Sequence, residues 1–560
     1  MLPVPRTLLF WLLLLMTWLP ASTQASGLSL SPLYGQSLGR TQVAVLKTKT
    51  PSHKAASHKA TRHKATGNAR RKTAKLSRAA SAASVAFSAA YPNVTGHRVY
   101  FHYQAVGAHE YGTIPTGGYT SQAAYLQDIT EAAALGADGF SLDLGALDPA
   151  TLDEMSRFFA AANQFNAEHP VPADSVNPAF TLFITLDCST PGIESSRPVA
   201  AAFLRFALDP AYTRVKDARG NLRPRFSTYA GGGGDGWAAV RAVWNQPLAL
   251  IKAAGIRPFF IPGFEQNPQV PGGPAPTDPQ WVHGLLVGLA DGDWEFASNY
   301  PPLGTTPGPS PIPGEEAKTA AVQAAGLYRE SSIRNQAWAT GSKPRFYNEY
   351  CGGEGLDAWW TSIITVQHPQ SVQVLTWNDY DEASWTTNAD EGPGSPWPYC
   401  KHSDVPGFYP SRLGLQKLYR YYIEWYKTGQ KPRIAGDTLV AMYRTQTGAA
   451  SAAPSADPLG GITYSADDTG GGPAMSHAPD VIYVDAFFVQ KAMVTLTQGS
   501  RTTQRSAPAG HSHLRLPFVA GLVTLTVQRN GQTVLTLPGH AIAGKAALAN
   551  ANYYTCTAHN

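Results

Sequence analysis

The sequence predicts an α/β fold: a (β/α)8 barrel of the TIM type followed by a C-terminal all-β sandwich domain. Three observations carry this. Eight short apolar runs succeed one another between Arg98 and Asp379, each closing on polar or glycine-rich residues. Stretches able to form helices separate them. After Gly436 the texture changes to strand-like runs parted by Pro/Gly/Ser/Ala-rich segments such as Thr447 to Gly461. A chain of 560 residues is long enough for both units, with the barrel at 91–435 and the sandwich at 436–560.

The eight runs are Val99–Tyr103, Gly139–Asp143, Thr181–Asp187, Arg225–Tyr229, Pro258–Pro262, Leu285–Asp291, Arg345–Glu349 and Val372–Asp379. Between the first two, Ala123, Leu126, Ile129 and Ala133 recur at helical spacing and define one apolar face. Trp237 to Ala254 and Glu315 to Tyr328 have the same pattern. Strands alternating with helices call for a parallel sheet. A doubly wound open sheet is the competing arrangement, but no glycine fingerprint for a nucleotide follows any strand. In the sandwich the runs are Val481–Val484, Ala492–Leu496, Leu522–Val527 and Thr533–Leu537. The Asn530-Gly531 pair between the last two is a hairpin signal.

The ends of the chain read differently. Arg6 precedes the apolar run Leu8 to Met16, and small residues follow from Ala21 to Ala25. That is a signal-peptide layout over residues 1–25, with a run too short for the roughly 20 residues a membrane span needs. A secreted, extracellular or periplasmic location without a membrane span is expected. Residues 26–90 form a disordered Lys/His/Ala-rich linker containing the repeats Ser52-His53-Lys54, Ser57-His58-Lys59 and Arg62-His63-Lys64. It serves as a solvated tether or as a tail that clings to an anionic surface. Residues 1–78 hold 13 Lys and Arg and no acid, which leaves 31 basic against 39 acidic residues in the remainder. The folded part is therefore acidic, and nucleic acid is excluded as its partner. Cys188, Cys351, Cys400 and Cys556 have no CxxC spacing, which argues against a zinc site and permits one or two disulfides.

Aromatic residues make up 11% of the chain, with 13 Trp and 25 Tyr, so flat amphipathic rings that suit sugars as well as cores are abundant. Acids gather where the barrel strands should end: Asp143, with Asp138 just before that second strand, then Asp187, the group Asp291, Asp293 and Glu295, Glu349, and finally Asp379, Asp381 and Glu382. Barrel enzymes keep their catalytic groups at the C-terminal ends of strands. Crowded carboxylates acquire split pKa values, as the cleavage of a glycosidic bond requires. Competing chemistries lack their motifs. There is no G-x-S-x-G elbow and no H-E-x-x-H pair, and Gly231–Gly234 has no Lys-Ser/Thr partner and reads as a flexible loop.

The run Val374-Leu375-Thr376-Trp377-Asn378-Asp379-Tyr380-Asp381-Glu382 resembles the "ITWNDYGE" segment of glycoside hydrolase family 71, the α-1,3-glucanases or mutanases. Further matches keep that family's order: Val99-Tyr100-Phe101-His102, Gly136-Ala137-Asp138-Gly139-Phe140 like "GIDGFALN", Phe226-Ser227-Thr228-Tyr229 like "STF", Phe260-Ile261-Pro262 like "FIP", and Asp291-Gly292 followed by Trp294. The resemblance spans roughly Arg98 to Arg444 and implies a secreted, endo-acting, inverting α-1,3-glucan hydrolase that needs no metal or organic cofactor. Its partner is a polysaccharide and its expected state a monomer. Carried over by motif, Asp291 is the base that activates water, Glu295 the acid, and Asp138 supports them. The substrate-binding set is His102, Asp187, Asp293, Trp294, Trp377, Asn378, Asp379 and Glu382, with the faces of Trp294, Trp377 and Trp385 offered to glucose rings. The same strand-eight run is similar to the "FNEWGE" of family 99, which keeps an α-mannan or other α-glycan hydrolase as an alternative. A non-catalytic polysaccharide-binding protein is another. The sandwich either holds polysaccharide or caps the barrel, with the structural role slightly favoured.

Overall fold

A computed structural model describes residues 97–105, 121–190, 193, 196–232, 236–264, 279–296, 310–338, 347–380, 382–387, 409–452, 455–456, 463–464, 479–545 and 550–560. The expected signal peptide and linker, Asp381, Cys400, Gly233 and Gly234 lie outside the described residues.

Eight strands run parallel: β1 (Arg98–Gln104), β2 (Gly139–Leu144), β3 (Thr181–Asp187), β4 (Leu222–Tyr229), β5 (Phe259–Pro262), β6 (Gly292–Asp293), β7 (Tyr328–Arg334) and β8 (Ser371–Leu375). Hydrogen bonding orders them β4-β3-β2-β1-β8-β7-β6, with β5 paired on β4. Asp291 N donates to Phe260 O at 2.8 Å and Trp294 N to Pro262 O at 3.3 Å, which joins the β6 segment to β5 as well. β1, β2 and β3 are almost wholly buried, hence their near-continuous apolar reading, which is what parallel strands covered on both faces require.

Helices fill the connections: α1 (Gln122–Ala134), α2 (Pro149–Glu168), α3 (Ser196–Phe206), α4 (Trp237–Ala253), α5 (Pro279–Trp281, continuing as a π-turn over Val282–Leu286), α6 (Ile312–Ala324), α7 (Gly352–Ser362) and α8 (Leu413–Thr428). Their starts follow local chemistry. Ser121 Oγ accepts from Ala124 N ahead of α1. Asp148 accepts from Ala150 N and Thr151 N ahead of α2, with Pro149 at the first helical position.

Two expected strands are corrected. Leu285–Asp291 is not a strand: Val282–Leu286 winds as a π-turn, and the strand begins after it, at Gly292. The Arg345–Glu349 run supplies only Tyr347–Asn348, a two-residue antiparallel piece paired with Ala337–Trp338. The seventh parallel strand is Tyr328–Arg334, of which the sequence reading reaches only Tyr328, at the end of a helical stretch. Its side chains are polar because they pair inside the sheet. Arg225 and Glu330 are both fully buried, and Arg225 Nη1 donates to Glu330 Oε2 at 2.8 Å while its guanidinium lies 3.8 Å over Phe183.

The C-terminal part holds two four-stranded antiparallel sheets. The first is ordered β13-β10-β9-β16, from β13 (Gly510–Pro517), β10 (Val481–Phe488), β9 (Thr438–Arg444) and β16 (Tyr553–His559). The second is ordered β12-β11-β14-β15, from β12 (Arg501–Ala507), β11 (Ala492–Gln498), β14 (Thr524–Arg529) and β15 (Gln532–Pro538). Asn530 (φ 53°) and Gly531 (φ 78°) make the tight β14–β15 turn, both in the left-handed region such a hairpin needs. Strand alternation divides the first sheet between two cores. Leu439, Ala441, Tyr443, Ile482, Val484 and Ala486 face the second sheet, whereas Val440, Met442, Tyr483 and Phe487 join the core that contains Tyr419 and Tyr422 of α8. The described residues accordingly fall within one compact unit.

Candidate active site

In a parallel sheet every strand points its C-terminal end to the same rim, and of four neighbouring strands three bring acids there and the fourth, β1, a histidine. His102, near the end of β1, is buried between two partners. Its Nδ1 lies 2.7 Å from Gln373 Oε1 and its Nε2 3.1 Å from Asp143 Oδ2 near the end of β2. The Gln373 amide is itself fixed, since Nε2 donates to Glu330 Oε1 at 2.8 Å. Its carbonyl oxygen must therefore receive the Nδ1 proton of His102, which leaves Nε2 to face Asp143. Burial alone would lower the pKa of His102, but the Asp143 carboxylate outweighs it and raises the imidazole above its ordinary value. Asp187, the last residue of β3, is pushed up to about 6 by burial and by the like charge of Asp143. Asp143 Oδ1 is buried with no hydrogen-bond partner among the described residues.

Past β8 the chain turns sharply. Asp379 is buried, with Oδ2 accepting from Gln104 Nε2 and Oδ1 from Glu382 N, both at 2.9 Å. Glu382 Oε2 receives Arg334 Nη2 at 2.6 Å, and its side chain is 39% exposed. Two part-buried rings stand beside His102: Phe296 at 5.3 Å between centroids, and Tyr229 at the end of β4, 5.0 Å from Phe296. Sequence reasoning left out Tyr229, Phe296, Gln104 and Arg334 as site residues, though Tyr229 stood at the end of an expected strand.

The three acids expected to be catalytic are not brought together. Asp138 immediately precedes β2 and Asp291 immediately precedes β6, so both lie at the N-terminal ends of strands, opposite the rim. Asp138 is bound by Arg98 Nη1 (2.9 Å), Lys427 Nζ (2.7 Å) and Val99 N (2.8 Å). Burial would raise its pKa, yet Lys427 and Arg98 hold it below the usual carboxylate value. Asp291 is gripped by both Arg223 guanidinium nitrogens at 2.6 Å and accepts from Phe260 N. It borders a groove of about 700 Å³ on that lower face, but both of its oxygens are already engaged. Glu295 follows β6, but its carboxylate is paired with Lys318 of α6. Burial would raise its pKa, and Lys318 outweighs that to lower it. Asp293 joins the same buried cluster, paired with Arg329 and 3.4 Å from Lys318.

Several expected sugar-binding residues are committed elsewhere. Trp377 is fully buried, with its ring centroid 5.2 Å from Phe101 and 5.4 Å from Phe140. Trp294 is fully buried and donates Nε1 to Thr228 O at 2.8 Å, plugging the space below His102. Trp385 is sandwiched by Tyr380 and the Arg412 guanidinium, the latter at 3.8 Å. An indole with no exposed face cannot stack on a sugar. Asn378 spends its amide on the backbone of Gln104, accepting at 2.8 Å and donating at 3.0 Å. His102, Asp187, Asp379 and Glu382 remain on the rim.

The rim is buttressed from the C-terminal sheets. Gln336, two residues past β7, donates to Ala551 O at 2.6 Å and accepts from Tyr553 N at 3.0 Å. Glu349 accepts from Cys351 N and from the Tyr553 hydroxyl. No two of Cys188, Cys351 and Cys556 are joined to each other.

Acids converging on the C-terminal rim of a parallel sheet, beside part-exposed rings, are the layout of an enzyme that cleaves glycosidic bonds. The family model for glycosyl hydrolase family 71 matches residues 103–560, and the chain belongs to that family. It is 26% identical over 443 residues to the glucan endo-1,3-alpha-glucosidase agn1 of Schizosaccharomyces pombe, covering 77% of this chain and 89% of that protein. Mutanase Pc12g07500 of Penicillium rubens is 22% identical over 430 residues, covering 74% and 80% respectively. Among solved structures, a GH99 endo-alpha-mannosidase from Bacteroides thetaiotaomicron superposes with a TM-score of 0.40 at 11% identity over 59% of this chain and 98% of that one, too loose a likeness to carry an argument.

Proposed function

We propose that this glycoside hydrolase is a secreted, endo-acting enzyme that cleaves α-1,3-glucan with inversion, using carboxylates on the C-terminal rim. The single observation that carries the reading is the convergence of Asp143, Asp187, Asp379 and Glu382 at the ends of β2, β3 and β8, around His102 of the intervening β1, in a chain whose matched relatives include an endo-1,3-alpha-glucosidase and a mutanase. The Asp291 N and Trp294 N bonds to β5 support closure of the eight strands into a (β/α)8 barrel, with that rim as the mouth. Export rests on the Arg6 and Leu8–Met16 layout. Among the described residues no helix is long and apolar enough to cross a membrane.

Each group has a role its surroundings suit. Glu382, paired with Arg334, takes a proton from the attacking water. Asp379 fixes the turn that carries Glu382. Asp187, with a pKa of about 6, gives its proton to the leaving glycosidic oxygen. His102 and the spare oxygen of Asp143 hold sugar hydroxyls, and Tyr229 and Phe296 face the ring. The test is reducing-end release from α-1,3-glucan by Glu382→Gln, Asp187→Asn, Asp291→Asn and wild type. The first two should lose about 10²–10⁴-fold in kcat and the third less than threefold. A large loss in Asp291→Asn with Glu382→Gln unaffected would return the chemistry to the lower face.

A further inference from the structure

Away from the rim, a second constellation sits where α7 meets the outer sheet. His511 and His513 lie two apart on β13 and so share one face of the strand. Asp485 on β10 is directly opposite His513, and Phe487 is opposite His511 with its ring stacked 4.1 Å away. Asp357 approaches from α7. His513 Nε2 is 3.5 Å from Asp357 Oδ2, and one donor atom from each of Asp357, His511 and His513 falls within 4.8 Å of the others. Around a tetrahedral ion with bonds near 2.0–2.2 Å, ligand atoms sit roughly 3.4 Å apart, so only side-chain rotation separates this cluster from a coordination shell.

Two of the three candidate ligands, His511 and Asp357, also have a hydrogen-bonded outer partner of the kind metal sites use. Asp485 Oδ1 lies 2.9 Å from His511 Nε2 and 3.0 Å from His513 Nδ1. The carboxylate hydrogen-bonds His511 and lies against the Nδ1 edge of His513, whose Nε2 is on the side of Asp357. The Tyr422 hydroxyl donates to Asp357 Oδ1 at 3.1 Å. Asp485 is 1% exposed, and its Oδ2 has no hydrogen-bond partner among the described residues. A Cβ on Gly353 would fall 1.8 Å from that oxygen, so the backbone of α7 makes room for the carboxylate. Two imidazoles and a carboxylate, with carboxylate and phenol in support, are the donor set of zinc and similar divalent transition metals.

We propose that Asp357, His511 and His513 bind one divalent transition-metal ion, zinc in the first instance, which staples α7 to the C-terminal sheets. Its ligands come from both sides of that contact, and it takes no part in hydrolysis. The experiment uses the full-length chain, stripped with a chelator, desalted and titrated calorimetrically with Zn²⁺, alongside His513→Gln and Asp357→Asn. Zinc taken up by the His-Lys repeats at His53, His58 and His63 is common to all three proteins and cancels in the difference. Wild type should bind one more equivalent than His513→Gln, and at 100-fold excess over Kd its melting temperature should rise by about 3 °C while the variants stay put. Should a variant not fold, Co²⁺ titrated into wild type reads the site directly through the visible band of a low-symmetry nitrogen and oxygen shell. Equal zinc uptake by wild type and both variants, or no such Co²⁺ band, overturns the proposal.

Discussion

Replacing Glu330 by Gln is the sharpest perturbation of the sheet interior. Glu330 is fully buried and serves three donors: Arg225, Ser371 Oγ at 2.6 Å and Gln373 Nε2 at 2.8 Å. Removing its charge leaves the Arg225 guanidinium uncompensated in a dry interior, which costs about 3–5 kcal/mol. A folded part of roughly 460 residues has an unfolding entropy near 1 kcal/mol per degree, so the melting temperature should fall by about 3–5 °C. Neutralising both partners, as in Arg225→Met with Glu330→Gln, should recover at least half of that loss, because an absent pair costs less than a broken one. The assay is a calorimetric melt of wild type, both single variants and the double variant. Because Gln373 orients His102, kcat of Glu330→Gln should drop as well, even at temperatures where it is fully folded. A Glu330→Gln melt within 1 °C of wild type would refute the argument, and so would a double variant as unstable as the two single losses added together.

Other outcomes follow from the same geometry. Asp187 is raised to about 6, so if it is the proton donor, kcat should fall as pH rises through that value, and a falling limb displaced far from 6 would remove it from the role. Asp138 is held below its ordinary value, so its contribution to stability is present above pH about 4 and is lost as pH falls through its folded pKa. Asp138→Asn should cost roughly 3 kcal/mol at neutral pH, with its urea stability converging on that of wild type below pH 4. Gly139→Ala would put a Cβ 2.0 Å from Thr181 O, forcing β2 from β3, and should lower the melting temperature by at least about 2 °C.

How much of this was legible depended on which way side chains face. β1, β2, β3, β4, β5 and β8 were found because parallel strands packed on both faces read as apolar runs. β7 was missed because Arg329, Glu330, Ser331 and Ser332 look like a surface, and only the fold reveals that Arg225 and Asp293 await them. With Leu285–Asp291 taken as a strand, Asp291 seemed to close it; the strand in fact starts one residue later, which puts the same aspartate at the opposite end. Asp138 stands where the sequence puts it, just ahead of β2. Asp143, Asp187, Asp379 and Glu382 were all visible as acids at strand ends. The C-terminal sheets were only half legible, since β12 and β13 are rich in Arg, Thr, Ser and His and carry little apolar alternation.

The grip of Gln336 on Ala551 and Tyr553 ties the rim to a segment 217 residues further along the chain. Until β9 through β16 have assembled, the loop leaving β7 keeps the bonds of Trp338 N to Glu382 O and of Asn335 Nδ2 to Ser384 O but lacks the outer clamp of Gln336 on Ala551 and Tyr553. Residues 91–435 expressed alone would therefore be an unfinished enzyme, and activity should emerge late in refolding, in step with docking of β16.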